Sequence, residues 1–588
     1  MPNESVIPTP ATPDVCTTSI LIDGVQIPGE YHLLSVSVVR VINRIPTASI
    51  VLQDGEASSS SFPISNTDTF IPGKSIEIQL GYRSQNDLVF KGIIIRHSIK
   101  IRRNGSVLII DCRDEAVKMT SGTRKKYFVE KKDSDIMDEI IGSYELQKEI
   151  EATTPELKEV VQFESTDWDF LLCRAEANGQ VVMVEDGKVK VAKPATGEEA
   201  VITVRYGTTL LELDAEIDSR VQSKGIKASS WNATDQEVIE VDAAEPETTE
   251  NGNLSATDLA DVLGGDPHQI SHGGKLTQPE LQAWADGRLL KERLAKVRGR
   301  AKFQGFAGIL PGNIIELTGI GERFEGKMYV SGVRHSVSNG SWETDVQLGL
   351  DPEIFAEKFN LRPLPAGGLL TAVSGLQIGI VTQLESDPDG EDRIKVRIPL
   401  ISTSEDGIWA RISTLDAGAS RGTYFRPEIS DEVIVGFLGD DPRYPVVLGM
   451  CHSSNKPAPV PPSDDNHLKG YVSRESMKFT FDDEKKIITL ETPGGNKMKI
   501  SDDDKGISFE DQNGNKITMD DRGITLDSAK DLILKAAAEL KIGGMNLSIK
   551  ADASFKAEGS ASAEISGAST TLKGSGTLVI QGGVVQIN

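Results

Sequence analysis

The sequence predicts a mainly β chain with an α+β region in its first half and a repetitive run of short strands in its last third. Three observations predict this. Gly is abundant, at 55 of 588 residues, while aromatic residues make up only 5%, a balance that suits many short strands and turns. Period-two alternation of apolar and polar residues recurs along residues 17–450. From about residue 477, short alternating strands broken by Gly or Asn-Gly repeat to the C-terminus. A chain of this length divides into about three or four domains.

Composition also narrows the function classes. With 38% hydrophobic and 26% charged residues, the chain has the make-up of an ordered soluble protein. A formal charge of −25 repels phosphate backbones, so no nucleic-acid partner is expected. The four cysteines, Cys16, Cys112, Cys173 and Cys451, lie far apart and read as free thiols of a protein made in the cytoplasm. The N-terminus lacks the basic and apolar regions of a signal peptide, and no run approaches eighteen apolar residues.

Residues 1–16 form a Pro-rich N-terminal extension. In residues 17–123, Ser35-Val36-Ser37-Val38 and Ser75-Ile76-Glu77-Ile78-Gln79-Leu80 alternate, with turns at Ile71-Pro72-Gly73-Lys74 and Arg103-Asn104-Gly105. Val107-Leu108-Ile109-Ile110 pairs back across Asn104-Gly105, which makes a β-barrel or sandwich. Residues 124–200 mix strands with helices. Asp133-Ser134-Asp135 caps a helix running from Ile136 to Tyr144, and Ser165-Thr166-Asp167 precedes a short one that ends near Asn178-Gly179. A second set of barrel strands occupies 201–232 and 276–360. Between them, residues 233–275 are acidic and Gly-rich and read as a surface insertion. A helix over 278–298 carries Leu281, Trp284, Leu289 and Leu294 among charges, and a Pro/Gly linker closes this region at about 365.

Strand candidates at 376–384, 393–398, 408–412, 432–438 and 445–450 fill residues 371–455. Five strands in so short a stretch fit a small closed barrel of the OB type. The Pro-rich start of 456–476 marks a linker. In 477–588, Gly494-Gly495-Asn496-Lys497-Met498 is echoed by Asn513-Gly514-Asn515-Lys516-Ile517. Beyond 530, apolar pairs such as Leu532/Leu534, Leu540/Ile542, Leu547/Ile549 and Leu578/Ile580 stand among Ala, Ser, Gly and Lys.

A lone ribbon of that kind offers one thin apolar row. Burial at about 25 cal/mol per Å² does not offset a backbone cost of about 1–2 kcal/mol per residue, and two strand edges stay open. Winding identical chains about one axis repairs both defects, and three copies give a triangular prism. The expected needle core and trimer interface is Leu532, Leu534, Leu540, Ile542, Leu547, Ile549, Ile565, Leu578 and Ile580. The strand pattern runs to the end, so Val584, Val585, Gln586, Ile587 and Asn588 form a flat, partly apolar end face that calls for a cap.

These residues carry a family resemblance. The matching stretches are Phe90-Lys91-Gly92-Ile93-Ile94, Ser165 to Leu171 with Arg174 to Gly179, and Gly326-Lys327-Met328-Tyr329-Val330. They continue through Arg393-Ile394-Lys395-Val396-Arg397, Pro427 to Phe437, and Asp440 to Gly449. In order and spacing they resemble the VgrG-type spike proteins of type VI secretion and of extracellular phage-tail-like injection particles. Those are similar to a contractile-phage baseplate hub fused to its tail spike. The resemblance implies an α+β hub with two tail-tube-like β-barrel domains, an OB-fold barrel and a C-terminal intertwined trimeric β-helix. It implies a homotrimer that joins a threefold spike to a sixfold inner tube and pierces the target envelope on sheath contraction. Its partners would be a PAAR-type tip protein at the C-terminal end, inner-tube ring and baseplate proteins at the hub, and effector cargo. The target membrane would be met only transiently, after assembly in the cytoplasm and delivery outside the cell or into a target. About twenty residues separate the OB barrel from the needle, too few for the lysozyme domain of the phage version, and no effector domain after the needle is expected.

Chemistry finds no positive signal. His268 and His272 have the HxxxH spacing but sit beside Asp266 in what reads as a Gly-rich loop, so no metal is expected. Asp502-Asp503-Asp504 and Asp520-Asp521 read as solvated turns. There is no GxSxG elbow, Walker loop or dinucleotide fingerprint, and no carboxylate pair singles itself out. The reading is a mechanical protein with no catalytic residues and no cofactor. Its rivals are a spike-borne cell-wall hydrolase and a trimeric β-helical adhesin.

Overall fold

The computed structural model describes residues 15–248 and 251–587; most of the 1–16 extension and the terminal Asn588 lie outside the described residues. The chain divides into two compact units, Met1–Gly449 and Met450–Asn588.

The first unit is built on one continuous thirteen-stranded sheet. In its first lobe, alternation in Leu33–Val41, Thr47–Gln53, Ser75–Tyr82 and Gly105–Arg113 turns Val36, Val38, Ile50, Leu52, Ile76, Ile78, Leu80, Leu108 and Ile110 into a single core. A second core collects Val204, Ala301, Phe303, Leu317, Val330 and Val346 from the strands between Ile202 and Leu348. Gly326–Ser338 is long enough to serve both lobes. One of its edges pairs with Ser341–Leu348 and the other with Leu33–Val41. The two expected barrels therefore share a sheet, stitched through residues about three hundred positions apart. On the polar face, Glu212, Asp214 and Glu216 stand opposite Lys302, Arg300 and Arg298. Exposed pairs of this kind are worth at most ~1 kcal/mol each, and they favour the correct register.

An α+β layer packs beside the sheet. Helix α1, Asp133–Gly142, begins earlier than expected because Lys132, not Asp133, is its N-cap, its N–H donating to Asp135 at 3.4 Å. Asp133 is buried and receives Arg174 at 2.6 and 2.8 Å and Asn178 at 2.8 Å, which ties α1 to α2, Asp167–Ala177. The Thr166 hydroxyl caps α2 by accepting the Asp169 N–H at 3.0 Å.

The stretch 233–275 is not the plain surface excursion that its composition suggests. Ile226–Asn232 and Glu237–Asp242 form a hairpin, α3 spans Ala256–Leu263, and His268–His272 adds a parallel strand. Helix α4, Gln278–Leu294, covers this small sheet with Leu281, Ala285 and Leu289 against Ile226, Ala228 and Val241. The acidic residues lie on the outside, while Ile239, Val241 and Ile270 supply just enough apolar surface for an inner face. Strand 226–232 thus leaves the second barrel, where it had been expected, for this layer. Helix α4 stops at Leu294 because Val297 opens the next barrel strand.

Strands Gln377–Gln383, Ile394–Arg397, Ile408–Ile412, Glu432–Phe437 and Pro445–Met450 close a five-stranded barrel around Val381, Ile394, Val396, Ala410, Val433, Val435 and Val447.

Candidate functional site in the C-terminal strands

The second unit opens with a seven-stranded antiparallel meander: Leu468–Val472, Lys478–Asp482, Ile487–Glu491, Lys497–Ser501, Gly506–Glu510, Lys516–Asp520 and Gly523–Asp527. It begins inside the stretch read as the 456–476 linker, because Leu468 to Val472 pairs with Lys478–Asp482 and sets Tyr471 opposite Phe479. The hairpins close on tight turns. Gly495 (φ +92°) and Gly514 (φ +89°) adopt a conformation that side chains strain, which explains the echoed Gly-Asn motifs.

Register decides what the meander presents. Directly opposed residues in antiparallel strands lie ~5 Å apart, so pairing repeated across seven strands builds columns. One column runs Tyr471, Phe479, Leu490, Met498, Phe509, Ile517, Leu526. Beside it runs Phe481, Ile488, Ile500, Ile507, Met519, Ile524. The other face carries Thr480, Thr489, Lys499, Ser508, Thr518 and Thr525, and an edge column of alternating sign: Lys478, Glu491, Lys497, Glu510, Lys516, Asp527. Among the described residues, the apolar columns have no second layer. Leu490 is 46% exposed and Phe509 39%, and an open groove of about 790 Å³ runs past Met498, Ile517 and Leu532.

Three of the turn carboxylates, Asp504, Asp511 and Asp520, have partners within the meander. Asn515, first through its side-chain amide at 2.7 Å and then through its backbone N–H, holds Asp511 down to about 2. Lys499 lowers Asp504, and Arg522 lowers Asp520. Among the described residues, no group of three or more His, Cys, Asp or Glu is placed to hold a metal ion.

After Asp527 the described residues form no strand. Leu532, Leu534, Leu540, Ile542, Leu547, Ile549, Ile565, Leu578 and Ile580 are all more than half exposed, and a single chain does not bring them together. Val584, Val585, Gln586 and Ile587 are exposed as well, and Asn588 lies outside the described residues. The sequence reading missed the meander columns as a site. Its signal was the alternation already visible in each five-residue strand, but only the register stacks those strands into a surface.

The histidines are structural in their surroundings. His335 is buried, with its Nδ1 3.0 Å from the Thr344 hydroxyl, and desolvation lowers it to about 3. His268 and His272 sit in a strand, not a loop or helix, so four residues separate them by ~13 Å. His268 lies 3.5 Å from Glu292, and His272 bonds Gly274. Burial raises the Cys112 thiol to about 12 and the Cys173 thiol to about 11.

Family models now join this geometry. The model described as the Alg8 N-terminal domain matches residues 12–339, more than half of the chain. The chain belongs to the Alg8 N-terminal domain family. In this Alg8-family chain, the type VI secretion system/phage-baseplate injector OB domain matches residues 377–452, the closed barrel. The phage baseplate V C-terminal trimerisation domain matches 487–588, which takes in most of the meander and everything after it. The type VI secretion system spike protein VgrG1b of Pseudomonas aeruginosa is 27% identical over 208 residues, covering 32% of this chain and 27% of that protein. VgrG1a of the same organism is 25% identical over 221 residues, covering 34% and 33%. The Alg8-family chain thus spans a third or less of the length of these curated relatives. Among solved structures, a tail protein from Neisseria meningitidis MC58 aligns with a TM-score of 0.43 at 15% identity, covering 57% of this chain and 97% of that one. The Escherichia coli c3393 protein, described as a type VI secretion component, aligns with a TM-score of 0.37 at 12% identity, covering 74% and 99%. The resemblance to VgrG-type spikes and phage baseplate proteins holds on these matches.

Proposed function

We propose that this chain is the central trimeric hub and spike of a contractile injection machine. In this reading it joins a threefold spike to a sixfold inner tube and leads the tube through the target envelope when the sheath contracts. The observation that carries the reading is the open two-column apolar face of the meander, in a segment matched by a trimerisation domain. A sheet with one apolar face needs a second layer, and sister copies supply it with matching columns. The same association would give the Leu532 to Ile580 row its strand partners. The resulting ladder of interchain hydrogen bonds makes the needle stiff, and its small residues keep it narrow.

In the same reading the end face from Val584 to Asn588 seats a PAAR-type tip protein. Inner-tube ring and baseplate proteins meet the hub, effector cargo travels with the assembly, and the spike meets a membrane only on its way to a target. Its work is mechanical rather than catalytic.

Light scattering on the full chain tests the assembly: three copies are expected, and a well-folded single subunit would overturn it. A zymogram with purified peptidoglycan separates the hydrolase alternative, since clearing by this chain alone would replace the mechanical reading. An Ile587→Asp variant should keep the trimer and lose retention of a PAAR-type protein in co-purification; unchanged retention would remove the end face from the account.

A further inference from the structure

Alternation sends Val381, Val396, Val433, Val435 and Val447 into the five-stranded barrel, so the residues between them face outward. On three adjacent strands the outward residues are apolar. Gln377–Gln383, with Leu376 just ahead of it, turns out Ile378 and Ile380; Glu432–Phe437 turns out Ile434 and Gly436; Pro445–Met450 turns out Leu448. Ile378 stands directly opposite Ile434. Leu376 and Leu448 lean over Gly436 from its two sides, because a Cβ there would lie 3.7 Å from the first and 3.2 Å from the second. Together they make one continuous face, on which Leu376, Leu448 and Ile378 are 66%, 52% and 42% exposed. The outside of a small barrel in water is ordinarily polar, and a connected apolar patch marks a contact.

Charge lies around this face rather than on it. Glu432, the first residue of the middle strand, stands opposite Ile380 at one end of the patch, and Gln383 follows the bulge at Val381. Arg397 flanks Ile380 on one side of the barrel, and Arg411 flanks Val446 on the other. The two remaining strands turn out Lys395 opposite Trp409, with Asp406 pairing Lys395 at 3.6 Å from the loop between them. Each chain carries a net charge of −25, so copies repel one another at large. The uncharged face is where they close at the least electrostatic cost.

We propose that the OB barrels of three copies pack against one another around the threefold axis through this face, with Ile434 nearest the axis. The contact rests on the trimeric reading and adds to it a second joint, upstream of the C-terminal segment. One face suffices for such a ring. Three equal cylinders grouped about an axis touch along lines about 60° apart on each. Three neighbouring strands of five cover about 140° of a barrel's circumference, so both lines fall within the apolar arc. The Gln377–Gln383 flank of one copy then meets the Pro445–Met450 flank of the next, and the third such contact closes the ring. Arg397 and Arg411 belong to strands outside that arc, and Glu432 and Gln383 stand at its ends as a polar rim. The matched trimerisation domain supplies the proximity: it begins at 487, and residues 451–467 tie the barrel to the meander. Copies joined there hold their barrels at roughly millimolar effective concentration, where an apolar face of modest size is enough.

The test uses the full chain carrying Cys451→Ser, which removes the exposed native thiol. Ile434→Cys, Leu448→Cys and Asp406→Cys are made separately, their native masses are measured by light scattering, and each is treated with a flexible three-armed maleimide. Asp406 is 79% exposed and lies between the two strands away from the face. The expected result is covalent trimers on a denaturing gel from Ile434→Cys and none from Asp406→Cys. The more exposed Leu448→Cys gives the same product if the thiol at 434 reacts slowly. Three-copy particles in which neither face variant links better than Asp406→Cys would overturn the contact and leave the trimer standing, whether the face is bare or meets another protein. Single-copy particles would remove the trimeric reading itself, and this contact with it.

Discussion

In the hub, the strand Ser75–Tyr82 turns Ile76, Ile78 and Leu80 into a core that excludes water completely. In the C-terminal unit, Lys478–Asp482 turns Phe479 and Phe481 onto a face that no second layer of the described residues covers, where each stays more than a third exposed. Both strands are hydrogen-bonded along both edges, so pairing does not distinguish them. Burial does. The hub sheet curls its two lobes around cores drawn from its own chain, whereas the meander pairs its five inner strands along both edges and still lacks a core. After Asp527 even the pairing is missing among the described residues. In the proposed trimer, dependence on other copies thus rises along the sequence, from the hub to the meander to the terminal run.

That gradient can be broken from either side. The largest effect is expected at the middle of the ladder. In Leu490→Asp each copy places a carboxylate in the face that sister copies cover in the proposed trimer, at several kcal/mol per unpaired buried charge. Light scattering should find single copies, while the hub's thermal transition stays where it was; loss of both together would deny the separation of the two regions. Phe303→Ala attacks the opposite end of the gradient. The ring is fully buried in the second hub core, and its loss is expected to cost about 3–5 kcal/mol. Denaturant unfolding of the hub should show this, with the particle still three copies in native buffer. Gly287→Ala sharpens the comparison within the hub, because the added methyl meets Gly179 across the α2–α4 contact. A loss of about 1–3 kcal/mol is expected, and none would show that the helices can part freely.

The smallest effect is a matter of pH. His335 is lowered to about 3 by burial, so between its unfolded value near 6.5 and about 3 the unfolded chain binds the extra proton. The stability this neutral histidine contributes is complete above about 6.5 and is lost as pH falls, by up to ~1.4 kcal/mol per unit. Denaturant midpoints of His335→Gln should fall less steeply over pH 6 to 5 than those of the natural chain. Equal slopes would mean that another group governs the acid limb.

Much of this architecture was legible in the residues because the signals are local. The five OB strands fall within a residue or two of the alternation that marks them, and α2 starts at its Thr166 cap. What escaped was long-range or was hidden by composition. Alternation identifies Gly326–Ser338 as a strand but says nothing of its partner at Leu33–Val41, so the shared sheet was invisible. The acidity of 233–275 concealed a hairpin, a helix and a parallel strand, because three inward side chains are too few to register against so many charges. At the C-terminal site the apolar alternation was plain, but the columns belong to the register and the exposure belongs to a single copy.

Hydrogen–deuterium exchange on the full chain, with the native mass measured in the same buffer, bears most directly on the claim that the C-terminal third draws its core from other copies. The account expects slow exchange throughout 530–587 in particles of three subunits, and fast exchange there in Leu490→Asp single copies whose hub strands remain protected. Slow exchange in 530–587 of a particle containing one subunit would contradict it.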